Sequence, residues 1–382
     1  MSNAKLPNPI LVNHPGALHH MAEALLHEAI VAVDTESNSL YAYQEQVCLI
    51  QFSTATQDFL VDPLSLDNLT PLGAVFGERG IEKDFHAAEY DLICLKRDFG
   101  FEFANLFDTM AAARILGREA VGLGAILDAE FGVQVDKRYQ RANWGQRPLP
   151  AYLLSYAQVD TRYLIPLRQR LYTELVENEL WPLAAEDFTR MINADGRTAD
   201  SRGEEVWRIS GAFDLSPRQA AVLKELCRYR DEAARLSNRP LFKVIGDKTL
   251  AAIAAQCPSS LEELAQIDGM TEGQVRRHGN ALLAAIERGR STPPLSPPRN
   301  RRPDEQYLER LEALRTWRKN TGKRMGVNSD VVLPRDLMYA IAARNPSGYS
   351  DLEAVLCETP WRCEHFGGEI LDVVRNPRAS EG

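Results

Sequence analysis

The chain carries acidic residues at spacings that suit metal-ion chemistry. In Val33-Asp34-Thr35-Glu36-Ser37, two acids stand two residues apart at the end of the apolar run Ala29–Val33. An extended chain repeats every second residue, so both carboxylates share one face. In Phe85-His86-Ala87-Ala88-Glu89-Tyr90-Asp91, a strand pattern runs into a helix pattern with Asp91 on its first turn. Tyr156 and Asp160 lie at i and i+4, one above the other on a helix. Singly, each has an ordinary structural reading: a solvated turn, a helix N-terminal charge, a surface Tyr–Asp pair. Taken together, Asp34, Glu36, Asp91 and Asp160 are candidate ligands, because converging carboxylates repel and raise one another's pKa unless cations neutralise them. All-oxygen ligands suit Mg²⁺ or Mn²⁺. Two such ions roughly 3.5–4 Å apart can grip the attacking and leaving oxygens of a phosphodiester. A tyrosine hydroxyl at Tyr156 can orient the attacking water or help to remove its proton.

The elements that must position these groups follow from periodicity. Ala29–Val33, Val47–Phe52, Phe59–Val61 and Ile81–Phe85 read as strands. Helical patterns follow at Glu89–Phe99, Thr109–Leu116, Gly122–Phe131 and Pro150–Leu175, the last expected to kink at Pro166. Strands first and helices interleaved later predict an α/β domain with a mixed sheet. Ala194–Glu204 and the Pro-rich, basic Thr292–Pro303 read as linkers. The division expected is a catalytic domain over 1–204, a helical module over 205–291, a Pro-rich linker over 292–303, a second, degenerate helical module over 304–376, and a tail over 377–382. The two modules repeat at an offset of 88: Tyr229-Arg230 meets Trp317-Arg318, Ile253 meets Ile341, Gly279 meets Gly367 and Leu283 meets Leu371.

The net charge of −9 is unevenly spread: residues 1–200 carry 16 Lys/Arg against 28 Asp/Glu, and residues 201–382 carry 28 against 25. An acidic half that holds cations, joined to a mildly basic half, is compatible with a polyanionic substrate. The six cysteines form no C-x-x-C pair, which argues against zinc and for reduced thiols in the cytoplasm. No apolar run reaches the roughly 20 residues of a membrane span, and no secretion signal is read. Neither a P-loop nor a convincing G-x-G-x-x-G is present, so no nucleotide cofactor is expected.

The acidic segments, in this order, resemble the DEDD superfamily of 3′→5′ exonucleases, and the Tyr156–Asp160 spacing resembles its tyrosine-bearing branch. Phe107-Asp108-Thr109, Ala112–Gly117, Phe131-Gly132-Val133, Asp136-Lys137, Gln140, Trp144, Arg147-Pro148-Leu149 and Tyr163–Leu167 are similar to ribonuclease D, and the two repeats resemble HRDC domains. The resemblance covers nearly the whole chain. It implies a ribonuclease H-like α/β fold followed by two all-α bundles, and two divalent ions held by Asp34, Glu36, Asp91 and Asp160. It also implies an attacking water served by Tyr156, and stepwise release of 5′-mononucleotides from an RNA 3′ end. tRNA precursors are the substrates it implies, and a monomer is expected. The sequence departs from the family at Ala142-Asn143-Trp144, where Ser-Asp-Trp is common. The second repeat lacks the Ile267-Asp268-Gly269-Met270 turn of the first.

Lys137, Arg138, Arg141 and Arg147, with Trp144 among them, are the candidate strand-holding residues, since cations meet phosphates while rings stack on bases. Arg230 and Lys243 are the candidates in the first module. Removing residues 205–382 is expected to leave cleavage of short oligonucleotides intact but to weaken engagement of tRNA precursors. Two alternatives stand beside this reading: a 3′→5′ DNA exonuclease of repair, and a non-catalytic RNA-binding protein on the same fold.

Overall fold

The structure is a computed structural model that describes residues 7–194, 205–298 and 304–377. The apolar run before Asp34 forms the centre of a six-stranded sheet. Its strands are β1 (Ile10–Val12), β2 (Ile30–Ser37), β3 (Val47–Ser53), β4 (Asp58–Val61), β5 (Glu82–Phe85) and β6 (Leu106–Asp108), in the order β1-β4-β3-β2-β5-β6. β4 runs antiparallel to β3 and parallel to β1, and β5 is parallel to both β2 and β6, so the sheet is mixed. All seven residues of β3 are buried, as a strand covered on both faces requires. The outer strands β1 and β6 are three residues each, too short for alternation to reveal them.

Two sequence expectations change. β2 does not end at Val33 but continues to Ser37, so Asp34 and Glu36 lie in the pleat itself rather than in a turn. The side chains between and beyond them are fixed too: Thr35 donates to Asp91, and Ser37 to Glu45 at 2.6 Å. The long helix breaks at Tyr163, not at Pro166, giving Ala151–Arg162 and Leu164–Glu177. Pro166 falls in the first turn of the second helix, where a missing N–H leaves no bond unmade. A further helix, Trp181–Asn193, packs Phe188 against Phe107 of β6, with ring centroids 4.9 Å apart.

The offset of 88 holds for the helices as well as for the letters. Pro217–Ser237, Leu241–Val244 and Asp247–Gln256 in the first repeat match Glu305–Met325, Ser329–Val332 and Arg335–Arg344 in the second. Buried bonds repeat with them: Arg230 Nη1 donates to the Ile245 carbonyl and Arg318 Nη1 to that of Leu333. Gly279 passes so close to Leu261 that a Cβ would meet it at 2.5 Å, and Gly367 passes Tyr349 in the same way at 3.1 Å.

The described residues pack as two compact units. One holds residues 7–36, 47–194 and 304–377; the other holds 37–46 and 205–298. The second repeat thus packs with the sheet. Its Arg362 is fully buried and reaches Glu186 at 3.0 Å, Asp187 at 2.9 Å and the Val331 carbonyl at 2.9 Å. Arg190 pairs with Asp336 at 2.6 Å, Arg114 pairs with Asp330, and Val331 joins the core around the sheet. Parts of the proposed linkers and tail, residues 195–204, 299–303 and 378–382, lie outside the described residues.

Candidate active site

β2 delivers Asp34 and Glu36 to one face, and the helix Ala151–Arg162 lays Tyr156 and Asp160 across it. One carboxylate oxygen from each of Asp34, Glu36 and Asp160 lies within 4.8 Å of the other two. Asp91, on the third residue of the helix Glu89–Phe99, is outside that trio. Its Oδ1 accepts the Thr35 hydroxyl, and its charge acts on both Asp34 and Glu36.

The electrostatics fit a cation site. Burial, then Asp91, Asp160 and Glu36, push the Asp34 carboxyl well above the usual range. Burial, Asp160 and Asp91 do the same to Glu36. Burial lifts Asp160 to about 7. Burial lifts Asp91 to about 7 against the opposing Thr35 bond. Hard oxygen donors that repel one another when ionised are what a divalent cation relieves. Tyr156 is pushed up by burial and then by Asp160, Glu36 and Asp34, so its hydroxyl stays protonated at neutral pH; the Gln140 side chain hydrogen-bonds to it.

Residues to which the sequence assigns no role hold these groups in place. Asp58 is buried; it accepts Ser53 Oγ at 2.7 Å and Gln158 Nε2 at 2.6 Å, while Ser53 Oγ also lies 2.7 Å from Thr161 Oγ1. These bonds clip both sides of Asp160 to β3 and β4. Asp108 accepts the backbone N–H groups of Ala88 at 2.6 Å and Ala111 at 2.7 Å. It thereby anchors the turn into the Asp91 helix, where Ala87 sits at φ 63°, a backbone conformation a side chain rarely adopts. A lone acid before a short apolar stretch gives no sequence signal for either role. His86 has Nδ1 2.9 Å from Thr109 Oγ1, and burial lowers its pKa to about 4, so it is neutral.

Three of the expected strand-holding residues are corrected. Arg147 gives all its N–H donors to protein: Nε and Nη2 to Asp62 at 2.7 and 2.6 Å, Nη2 to the Cys48 carbonyl, and Nη1 to those of Trp144 and Gln146. It braces the loop against the sheet and keeps no donor for a phosphate. Trp144 is 1% exposed and packs behind Tyr156, with ring centroids 6.1 Å apart, so no base can stack on it. Arg230 is 4% exposed and pairs with Asp247 at 2.5 Å, a structural bond within its module. Lys137, Arg138 and Arg141 lie on an exposed 3₁₀ turn, with Arg138 paired to Asp136 at 2.5 Å. The aromatic surface beside them is Tyr139, which contacts Tyr156 edge-on at 5.8 Å, and the exposed Tyr152. Lys243 places its ammonium 4.2 Å from the Tyr41 ring centroid, inside the second unit.

Comparison with known proteins agrees with this geometry. A family model described as 3′-5′ exonuclease matches residues 9–176, and the HRDC domain model matches residues 219–286 and 308–374. Ribonuclease D of Acidiphilium cryptum is 28% identical over 96% of this chain and 93% of its own length. Ribonuclease D of Escherichia coli is 32% identical over 74% of this chain and 75% of its own length. The crystal structure of Escherichia coli RNase D, titled an exoribonuclease involved in structured RNA processing, aligns with a TM-score of 0.72 at 25% identity, covering 97% of this chain and 99% of that one.

Proposed function

The chain belongs to the ribonuclease D family of metal-dependent 3′→5′ exoribonucleases, and we propose that Asp34, Glu36, Asp91 and Asp160 are its metal-holding residues and Tyr156 its water-orienting residue. The observation that carries this is the trio of carboxylates within 4.8 Å, Asp160 buried and Asp34 and Glu36 partly so, with Tyr156 one helical turn before Asp160. Asp34, Glu36 and Asp160 hold one cluster of oxygen ligands; Asp91, tied to Thr35, borders it. When bound, two Mg²⁺ or Mn²⁺ ions supply the charge neutralisation that lets the carboxylates stay ionised together and that favours the attacking and leaving oxygens of the phosphodiester. Tyr156 acts as a hydrogen-bond donor, because its raised pKa keeps the proton on the hydroxyl and unsuits it as a base. Gln140 holds that hydroxyl in place.

The RNA 3′ end lies over Tyr139 and Tyr152, whose rings suit stacking on bases, with Lys137, Arg138 and Arg141 meeting phosphates; Lys243 is a separate phosphate contact within the first helical module. The substrates are tRNA precursors with 3′ extensions, and the enzyme works as a monomer. All six cysteines are free thiols, which suits a cytoplasmic setting. The catalytic domain spans residues 1–204 and the helical modules 205–291 and 304–376. The test is product analysis on a 3′-extended tRNA and a matched single-stranded DNA, with and without a chelator. Release of 5′-mononucleotides from RNA, abolished by EDTA and by Asp34→Asn, is the expected result. Metal-independent activity, or survival of activity in Asp34→Asn, refutes the assignment.

A further inference from the structure

Strand alternation puts the side chains of Asp34 and Glu36 on one face of β2 and Thr35, between them, on the other. Asp160 meets Asp34 and Glu36 on their own face. Asp91 arrives from the Thr35 side. Its helix, Glu89–Phe99, buries Leu92 and Leu95 in the core that also holds Val31 and Val33, and Val33 shares a face with Thr35. The fourth acid therefore approaches across the strand from the other three, and Thr35 is the residue at the crossing.

Thr35 engages Asp91 twice. Its hydroxyl donates to Asp91 Oδ1, and its backbone N–H lies against the same carboxylate. That N–H also lies against the carboxylate of Asp34, so one residue spans the two acids. Two donors on one residue fix the direction in which the Asp91 carboxylate faces. The other three acids need no such tie, because one oxygen of each already lies within 4.8 Å of the other two. Hydrogen bonds to a ligating carboxylate commonly orient it for its ion. Nothing about the strand itself calls for a hydroxyl here: valine would keep the branched shape and the strand preference and remove only the donor.

We propose that Thr35 is a positioning residue whose hydroxyl aims Asp91, and so sets the affinity for the second of the two cations while the first is left to Asp34, Glu36 and Asp160. The side chain between the two acids of β2 is then part of the site, and position 35 requires a hydroxyl. The proposal rests on the reading that the four acids hold two divalent ions.

The experiment titrates Mn²⁺ into the full chain near neutral pH, with AMP, a 5′-mononucleotide product, at saturation. Free Mn²⁺ is followed by electron paramagnetic resonance. The parent is expected to bind two ions. Thr35→Val is expected to bind the first as the parent does and the second about 10–100-fold more weakly, the usual loss when a ligand loses its orienting hydrogen bond. Thr35→Ala, which also removes the donor and asks less of the packing, is expected to behave alike. Thr35→Ser keeps the hydroxyl and is expected to restore the second affinity. The Mn²⁺ concentration that half-saturates RNA trimming should rise by the same factor in Thr35→Val, with kcat recovered when Mn²⁺ is in excess. Parent-like affinity for the second ion in Thr35→Val and Thr35→Ala, or equal weakening of both ions, overturns the proposal. Loss of folding in both, seen in metal-free melting curves, overturns it too, by making the hydroxyl a requirement of the fold. A parent that binds fewer than two ions overturns instead the four-acid reading on which the proposal rests.

Discussion

Stripping the metal and raising the pH should destabilise the folded chain, and the size of the effect follows from the site. In the unfolded chain Asp91 and Asp160 ionise at their ordinary value near 3.8; in the fold, burial holds both near 7. Between these values the folded chain binds more protons than the unfolded one, so stability must fall as pH rises. Below about 4 both states are protonated and the stabilisation is complete; above about 7 it is lost. The two acids share one cluster of charges, so a single proton's worth is the safer figure. At 1.36 kcal/mol per pH unit, two pH units traversed between pH 5 and pH 7 cost about 3 kcal/mol. For a unit of this size that is roughly 5–10 °C in melting temperature. The assay is calorimetry of the full chain in EDTA at half-unit steps from pH 5 to 7.5, repeated in Mn²⁺. The difference between the two series isolates the site from exposed carboxylates elsewhere. Saturating Mn²⁺ at one hundred times its Kd is expected to return about 2.7 kcal/mol at pH 7.5. A metal-free melting temperature that is flat or rising over this range, and unmoved by Mn²⁺, would refute the claim that the four acids form one cation site.

Other outcomes are expected from single side chains. Tyr156→Phe should lower kcat about 10²-fold while leaving the melting temperature nearly unchanged, because it removes one hydroxyl and keeps the ring against Tyr139 and Trp144; a full-speed variant would remove Tyr156 from the mechanism. Arg147→Ala should cost about 3–5 kcal/mol, since it leaves the Asp62 carboxylate buried without its cation, and should leave the salt slope of RNA binding where it was; a reduced slope at parent-like stability would restore Arg147 as a phosphate contact. Arg362→Ala should cost a similar amount by leaving Glu186 without its cation and Asp187 with only Arg190 at 4.0 Å, and a chain cut after residue 204 should lose stability for the same reason, beyond the weaker engagement of tRNA precursors expected from sequence. Melting curves of both that match the parent would overturn that view of the second repeat.

The sequence alone determined the chemistry of the site and the rhythm of the fold. Two acids at period two on β2 must share a face wherever the strand lies, and Tyr156 and Asp160 one turn apart must share a side of their helix. The offset of 88 was likewise written in the apolar positions, because equivalent helices need equivalent cores. Local periodicity could not say where β2 stops, since pairing with neighbouring strands extends it past Val33 to Ser37. Nor could it separate Arg147 and Arg230 from Lys137 and Arg141. All are cations in basic stretches, and only the positions of Asp62 and Asp247, distant or seemingly unrelated in the chain, show that Arg147 and Arg230 are bonded to buried or neighbouring carboxylates. Asp58 gave no signal and Asp108 only a place in a matched segment, for the same reason: their partners come from other elements. The fate of the two repeats is the clearest case. Similar helices carry Arg239 and Lys243 in one copy and Val327 and Val331 in the other, and only packing against the core around the sheet buries Val331 and partly covers Val327, while the first pair lines an open pocket.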